Sequence, residues 1–400
     1  MAPNKTCIVI GAGIAGAACA RALADRGWQT TVLDTAAQPC TAASGVPVGL
    51  VSCHASPDDN PLSQLTRLGL LETIGFANKH LAHGQDWSAC GVLERRLPQL
   101  QHAKKPWQAP NTDSVWFSHV ELATPQQRQL AGLSDDASND LWQPQGAWIK
   151  PLALVRALLS HDRIEFKGLH EVESMQRHPT TGQWVLRIKH HICIPSMGSS
   201  HTYTSESASH VVIATGGRTP EFLNQVLYEP DMGLHPIAGQ VSWGLQEDSS
   251  SANLPRFAVN GHGSFVAHVP TPDGLAWYTG STFHRHQTQC ANIEQDHAHN
   301  RQRLGELLPD IASALASQWQ APHGIKAWSG VRCASINRLP KLGPLDEQRL
   351  PGLHLLSALG SRGLTLALLC AKALADQLDE TTPTLPEALR KAMRCDLAST

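Results

Sequence analysis

The chain has 400 residues, 42% of them hydrophobic and 16% charged, enough apolar material for a large core and about two domains. Its 32 Lys and Arg stand against 34 Asp and Glu, a formal charge of -2. This balance lacks the basic footprint that phosphate binding normally leaves on a nucleic-acid-binding sequence.

Residues 7–10 (CIVI) predict a short buried strand, and Gly11-Ala12-Gly13-Ile14-Ala15-Gly16 opens a helix-like stretch, AACARALADRG, that ends at Gly27. TTVLD follows as a second strand, so the order is strand, glycine turn, helix, strand. In that unit the first glycine permits a tight turn, the second lets a pyrophosphate approach the backbone, and the third lets the helix pack closely. The helix N-terminus then faces the phosphates with its partial positive charge. Asp34, 18 residues after Gly16, is placed to accept hydrogen bonds from ribose hydroxyls. Lys5 before an apolar run superficially matches a secretory leader, but the glycine spacing has its own explanation and Arg21 ends the run early.

After Asp34 the pattern becomes irregular through TAASGVPVGLVS and a mixed region from Ser56 to Leu141, with QHAKKPWQAPNTD reading as a surface loop. Pro151 suits the first turn of a helix over LALVRALLS. IEFKG, a hairpin-like HEVESMQRHPTTGQWVLRIKH and a Ser-rich loop at 196–208 precede the strand HVVIATGG. Strands and loops (AGQVSWG, GSFVAHVP, LAWYTGSTF) fill residues 221–326, with one helix around 291–308. The final part holds VRCASINRLPKLGP, the strand LHLLSA, the turn Gly360-Ser361-Arg362-Gly363 and an apolar helix from Leu364 that Lys372 interrupts. No run reaches the length of about 20 apolar residues that spans a bilayer.

Gly261-His-Gly263 lacks a third glycine and a following helix, so one dinucleotide is expected, and that favours FAD. The ten cysteines show no CxxC pair and read as reduced thiols of a cytoplasmic protein. His284 with His286, and His297 with His299, fall at alternating spacing, but without a Cys or carboxylate to complete a set, so no metal site is expected.

In order and spacing, GAGIAGAACARALADRGWQTTVLD, AASGVPVGL, WSACGVLE, PQGAWIKPLALVRALL, VVIATGG, HPIAGQVSW, VRCASINRLPKLGP and LGSRGL resemble the D-amino-acid-oxidase-like family of FAD-dependent amine oxidoreductases, which includes glycine and sarcosine oxidases. Within it they resemble the C-terminal FAD domain of the bifunctional MnmC family, which modifies the wobble uridine of certain tRNAs. The fold this implies is α/β: a Rossmann-like FAD-binding domain (1–55, 142–220 and 327–390) interleaved with an antiparallel-sheet substrate domain (56–141 and 221–326), with 391–400 as a tail.

The resemblance further implies that Ala43, Ser44 and Gly45, the backbone of Val172, the strand end Ala214-Thr215-Gly216, and Gly360, Ser361, Arg362, Gly363 and Leu364 line the flavin nucleotide. It implies that Arg332 forks around a substrate carboxylate, a contact that guanidinium geometry suits. An ion pair is the alternative for Arg332. His284 falls on a strand that faces the flavin in the family and is, beside Arg332, a candidate substrate-binding residue, and Cys333 reads as a spectator thiol. No general base stands out.

The implied reaction is oxidation of the N–CH2 bond of a carboxymethylamino group, with 5-carboxymethylaminomethyl-2-thiouridine in tRNA as substrate and glyoxylate as the released product. A free small amino acid is the alternative substrate, and a non-catalytic flavin-binding protein the alternative class. The glycine fingerprint begins ten residues from Met1, so no methyltransferase domain is expected before it and a separate methyltransferase becomes a candidate partner. Val46-Pro47-Val48 stands where MnmC enzymes tend to carry polar residues.

Overall fold

A computed structural model describes residues 5–97, 114–115, 118–134, 139–194, 198–227, 232–246 and 254–395. The chain forms two compact units: Met1–Gly45, Pro151–Ile237 and Val331–Thr400 make one, Val46–Lys150 and Ala238–Gly330 the other. These cuts differ from the sequence reading for local reasons. Gly49–Val51 pairs antiparallel with Ala147–Ile149, which carries 46–55 and 142–150 into the second unit. Phe222, Leu223 and Val226 join the first unit's core, which keeps 221–237 there. Residues 391–395 are part of the fold rather than a tail, since Met393 and Cys395 are buried and the Leu342 amide donates to the Met393 carbonyl at 3.0 Å.

In the first unit, β1 (Thr6–Ile10), α1 (Ile14–Ala24) and β2 (Gln29–Leu33) realise the strand, turn, helix, strand order. There follow α2 (Pro151–Leu159), β3 (Ile164–Lys167), β4 (His170–Arg177), β5 (Trp184–Ile194), β6 (Gly198–Ala208), β7 (His210–Ile213) and α3 (Thr219–Leu227). The last elements are β8 (Lys341–Pro344), β9 (Leu353–Ser357) and α4 (Gly363–Leu378).

The main sheet has the order β8-β9-β7-β1-β2-β3. It is parallel except at β8–β9, and Val9 sits between Val32 and Val212. Strands of such a sheet are covered on both faces, which is why CIVI and HVVI are continuous apolar runs. Helix α1 buries Ala17, Ala18, Cys19 and Ala20, side chains small enough for close packing against α4.

A second sheet pairs β4, β5 and β6 antiparallel. The Ser-rich stretch expected as a loop is therefore strand over 198–208, where alternating Thr and Tyr residues pair with β5; residues 196–197 lie outside the described set, as does the QHAKKPWQAPNTD loop.

The second unit carries a largely antiparallel sheet. Gly263–Thr271 pairs with Gly274–Gly280 and with Ala258–Gly261, whose far side meets Val92–Glu94 in parallel. Gly261 and Gly263 are the ends of a hairpin turn, consistent with their failure to form a nucleotide fingerprint. Trp277, Phe265, Leu304 and Leu307 centre its core. The region 56–141, irregular in sequence, contains a long helix, Pro61–His80, capped by the Asn60 side chain accepting from the Ser63 amide. Among the described residues, no helix is long and apolar enough to cross a membrane.

Candidate cofactor-binding site

Five segments of the first unit converge at the C-terminal ends of the parallel strands, where open parallel sheets hold ligands. The turn after β1 comes first. Gly11 has φ +106, and its amide donates to the Leu33 carbonyl at 2.8 Å. A side chain here would place Cβ 2.5 Å from the Ala214 carbonyl oxygen, so only glycine lets β1 turn against β7. At Gly16 a Cβ would fall 1.8 Å from the Gly11 carbonyl oxygen. That closeness sets α1 with its first amides over the turn, the arrangement that suits a pyrophosphate.

Asp34 follows β2 directly. Its Oδ2 accepts from the Ala12 amide at 2.7 Å and its Oδ1 from the Ala36 amide at 2.9 Å. Each carboxylate oxygen keeps a further lone pair, so the group can brace the turn and still accept from ribose hydroxyls.

The third segment is the 3-10 turn Ala43–Gly45. Ser44 Oγ accepts from the Ile14 amide at 3.0 Å, and the Cys40 thiol donates to the Ser44 carbonyl at 2.8 Å. The Cys40 amide in turn donates to the Ala12 carbonyl at 3.0 Å. Burial pushes the Cys40 thiol up to about 12, so it remains a neutral packing group.

The fourth and fifth segments are the turns that follow β7 and β9. Ala214 continues β1's pairing through a 2.8 Å bond to the Ile10 carbonyl, and Thr215 Oγ1 donates to Thr219 Oγ1 at 3.2 Å. Gly360–Arg362 forms a 3-10 turn ahead of α4, whose N-cap, Arg362, makes no side-chain capping bond. A Cβ on Gly363 would lie 3.4 Å from Ile14 Cγ2, so α4 and α1 begin side by side with both N-termini at this end of the sheet. Leu364 and Ala15 are buried where these helices start. Val172 is buried on β4, an edge strand that bulges between Val172 and Ser174.

Arg332 is half-buried on the strand Lys326–Ser335. The carbonyl oxygen of its neighbour Val331 lies 2.7 Å from the position a Cβ on Gly217 would take. The structure thus brings the Arg332 segment against the turn that follows Ala214-Thr215-Gly216. Sequence reasoning missed Gly217, Cys40 and the bracing role of Ser44; the doubled glycine in ATGG was the available signal for the first. Cys333 is buried in the first unit's core and burial raises its thiol, in keeping with a spectator.

His284 belongs to the second unit, where its Nε2 lies 2.6 Å from Asp296 Oδ1. His297 and His299 lie within the helix Ile293–Leu307, the helix expected around 291–308, so their spacing of two does not put them on one side of a strand.

The model of the family described as "FAD dependent oxidoreductase" matches residues 6–377. The chain belongs to that family. The cradle fits the cofactor the family uses: glycines whose Cβ atoms would strike backbone, two helix N-termini, and an acid at the end of β2.

Among curated proteins, the "tRNA 5-methylaminomethyl-2-thiouridine biosynthesis bifunctional protein MnmC" of Paracidovorax citrulli is 38% identical over 381 residues, 93% of this chain and 57% of that protein. Its counterpart in Polaromonas naphthalenivorans is 39% identical, with 96% of this chain and 58% of that protein covered. The chain therefore spans less than two thirds of the length of these relatives. Among solved structures, glycine oxidase from Geobacillus kaustophilus superposes with a TM-score of 0.71 at 17% identity, covering 98% of both chains. Iminodiacetate oxidase from Chelativorans gives 0.67 at 18%, covering 98% of this chain and 99% of that one. These two likenesses establish the glycine-oxidase-like fold.

Proposed function

We propose that this FAD-dependent oxidoreductase oxidises the N–CH2 bond of a carboxymethylamino group, and that the group is carried by 5-carboxymethylaminomethyl-2-thiouridine in tRNA. The observation that carries the reading is likeness across nearly the whole chain to proteins named for biosynthesis of 5-methylaminomethyl-2-thiouridine. Loss of the carboxymethyl group leaves the 5-aminomethyl nucleoside, which one methyl transfer would turn into the nucleoside in that name. A methyltransferase acting next, whether fused or separate, is part of this proposal, as is a cytoplasmic site of action.

Bound FAD supplies a two-electron acceptor that the side chains of the chain do not provide. The Gly11–Gly16 turn, Asp34 and the start of α4 are the groups that would hold its phosphates, ribose and ring edge. The substrate's neutral secondary amine loses a hydride from its methylene carbon and a proton from nitrogen, so C–N becomes C=N. Water adds to that carbon and the C–N bond breaks, giving glyoxylate and the primary amine. The demand on the protein is positional: the carboxylate must be held so that the methylene is presented at about 3–3.5 Å. Arg332 is the residue proposed to do this through a bidentate contact.

A second reading keeps the chemistry and takes a free small amino acid, favoured by the formal charge of -2, which offers tRNA no obvious basic surface. Incubation of the purified holoprotein with tRNA bearing the carboxymethylaminomethyl group separates the two. Glyoxylate release with conversion of the nucleoside supports the tRNA reading. An unchanged nucleoside with turnover of glycine or sarcosine supports the second, and no turnover of either supports a non-catalytic flavin protein.

A further inference from the structure

In the second unit, three residues spaced six apart in sequence converge on one point. His284 ends up beside Cys290 from the following loop and Asp296 from the first turns of the helix Ile293–Leu307, with one ligand atom of each lying within 4.8 Å of the others. Asp296 is 3% exposed, and its Oδ1 lies 2.6 Å from His284 Nε2. Its other oxygen, Oδ2, is buried without a hydrogen-bond partner. A buried carboxylate oxygen left without a partner forfeits its hydration without compensation, and buried charges are ordinarily paired or bound to a metal.

We propose that His284, Cys290 and Asp296 form a zinc site. One imidazole nitrogen, one thiolate and one carboxylate are a ligand set suited to this borderline cation. The charges of thiolate and carboxylate cancel those of Zn2+, so the site is neutral overall. Binding transfers the Cys290 thiol proton to solvent and takes up His284 as the Nδ1–H tautomer, whose Nε2 lone pair faces the metal in place of its present contact with Asp296. Water completes the tetrahedron. Arg303 donates to the Ser281 carbonyl at 2.9 Å and is not a ligand. The metal would clip the His284–Asn292 loop to the head of the helix, a structural role separate from flavin chemistry. Pairwise reading of the histidines conceals the site, because its ligands come from a strand end, a loop and a helix.

The test is zinc titration of the untagged, chelator-treated full chain with its flavin in place, followed by X-ray absorption at the zinc edge. The expected result is one zinc per chain, with one sulfur at about 2.3 Å and nitrogen or oxygen at about 2.0–2.2 Å, and a rise in melting temperature on zinc addition. Cys290→Ser should remove the sulfur shell and weaken binding at least tenfold, Asp296→Asn should weaken it similarly, and Cys90→Ser should change neither. Failure of the wild-type chain to retain zinc would leave the His284–Asp296 pair as a plain ion pair and overturn the site. A sulfur shell that survives Cys290→Ser would overturn it equally. Should Asp296→Asn fail to fold, Cys290→Ser at its partly exposed position still decides the question.

Discussion

Asp34 Oδ2 accepts a 2.7 Å hydrogen bond from the amide of Ala12, the residue between the first two glycines of the turn. The carboxylate therefore braces the loop, and the ribose is its proposed second partner. Asp34→Ala should lose both, at about 1.5–3 kcal/mol for each charge-assisted bond, and purify with much of its flavin missing. Asp34→Asn keeps an acceptor for Ala12 and should retain more flavin than the alanine variant. The flavin-to-protein absorbance ratio after extended dialysis measures this; full flavin content in Asp34→Ala would remove Asp34 from the site.

Gly16→Ala should be more damaging than its single methyl suggests. The added Cβ falls 1.8 Å from a backbone oxygen of Gly11, and backbone cannot swing aside as a side chain can. Helix α1 must shift away from β1, opening the core and the cradle together. We expect a loss of about 1–3 kcal/mol, the usual range for forcing extra volume into packed structure, with a lower melting temperature even for the flavin-free protein. Gly75→Ala, in the interior of the helix Pro61–His80 where a Cβ meets nothing within 4 Å, is the contrasting control and should leave flavin content unchanged while raising stability by about 0.5–1 kcal/mol.

The contrast between these glycines explains how far the sequence could be read. The βαβ unit was legible because its spacing carries its own stereochemistry: Gly11, Gly16 and Asp34 each answer a separate local demand. The Pro61–His80 helix was not, since its weak amphipathic pattern competes with the polar stretches around it, and the strand Gly198–Ala208 was hidden by serines that its partner β5 overrides. The contact between Val331 and Gly217 joins residues far apart in sequence and has no local period at all. The same holds for Asp296, which reads as an ordinary first-turn acid until folding buries it beside His284.

Histidines 210 and 354 should make the first unit sensitive to mild acid. His210 Nδ1 and His354 Nε2 lie 3.1 Å apart, with stacked rings, and Trp28 packs edge-on against His210. Burial lowers both pKa values, and the neighbouring ring helps bring His354 down to about 3. The unfolded chain titrates these groups near about 6.5, so it binds protons that the folded state refuses. Stability from the pair is thus full above about pH 6.5 and is lost as pH falls toward the folded value, with a limiting slope of about 1.4 kcal/mol per pH unit for each proton. Denaturant midpoints should drop between pH 7 and pH 5, and His354→Phe should flatten that drop. A slope unchanged by this variant would assign the acid sensitivity elsewhere.

Arg332 offers the sharpest test of the proposed chemistry. Two charge-assisted hydrogen bonds to a substrate carboxylate, at about 1.5–3 kcal/mol each, imply that Arg332→Ala lowers kcat/KM by roughly a hundredfold or more. Flavin content should persist, because the nucleotide is assigned to the Gly11–Gly16 turn and Asp34. Arg332→Lys should recover only part of the loss, since an ammonium keeps the charge but not the planar fork. A substrate with its carboxylate amidated should react slowly with the wild-type protein and be nearly indifferent to Arg332→Ala, the mark of a shared contact. Arg332 also sits on the strand whose Val331 carbonyl approaches Gly217, so its removal carries a structural alternative with a distinct signature. If Arg332→Ala strips the flavin or lowers the melting temperature sharply while the amidated substrate reacts at the normal rate with wild type, the arginine holds the fold and the substrate is positioned by something other than its carboxylate.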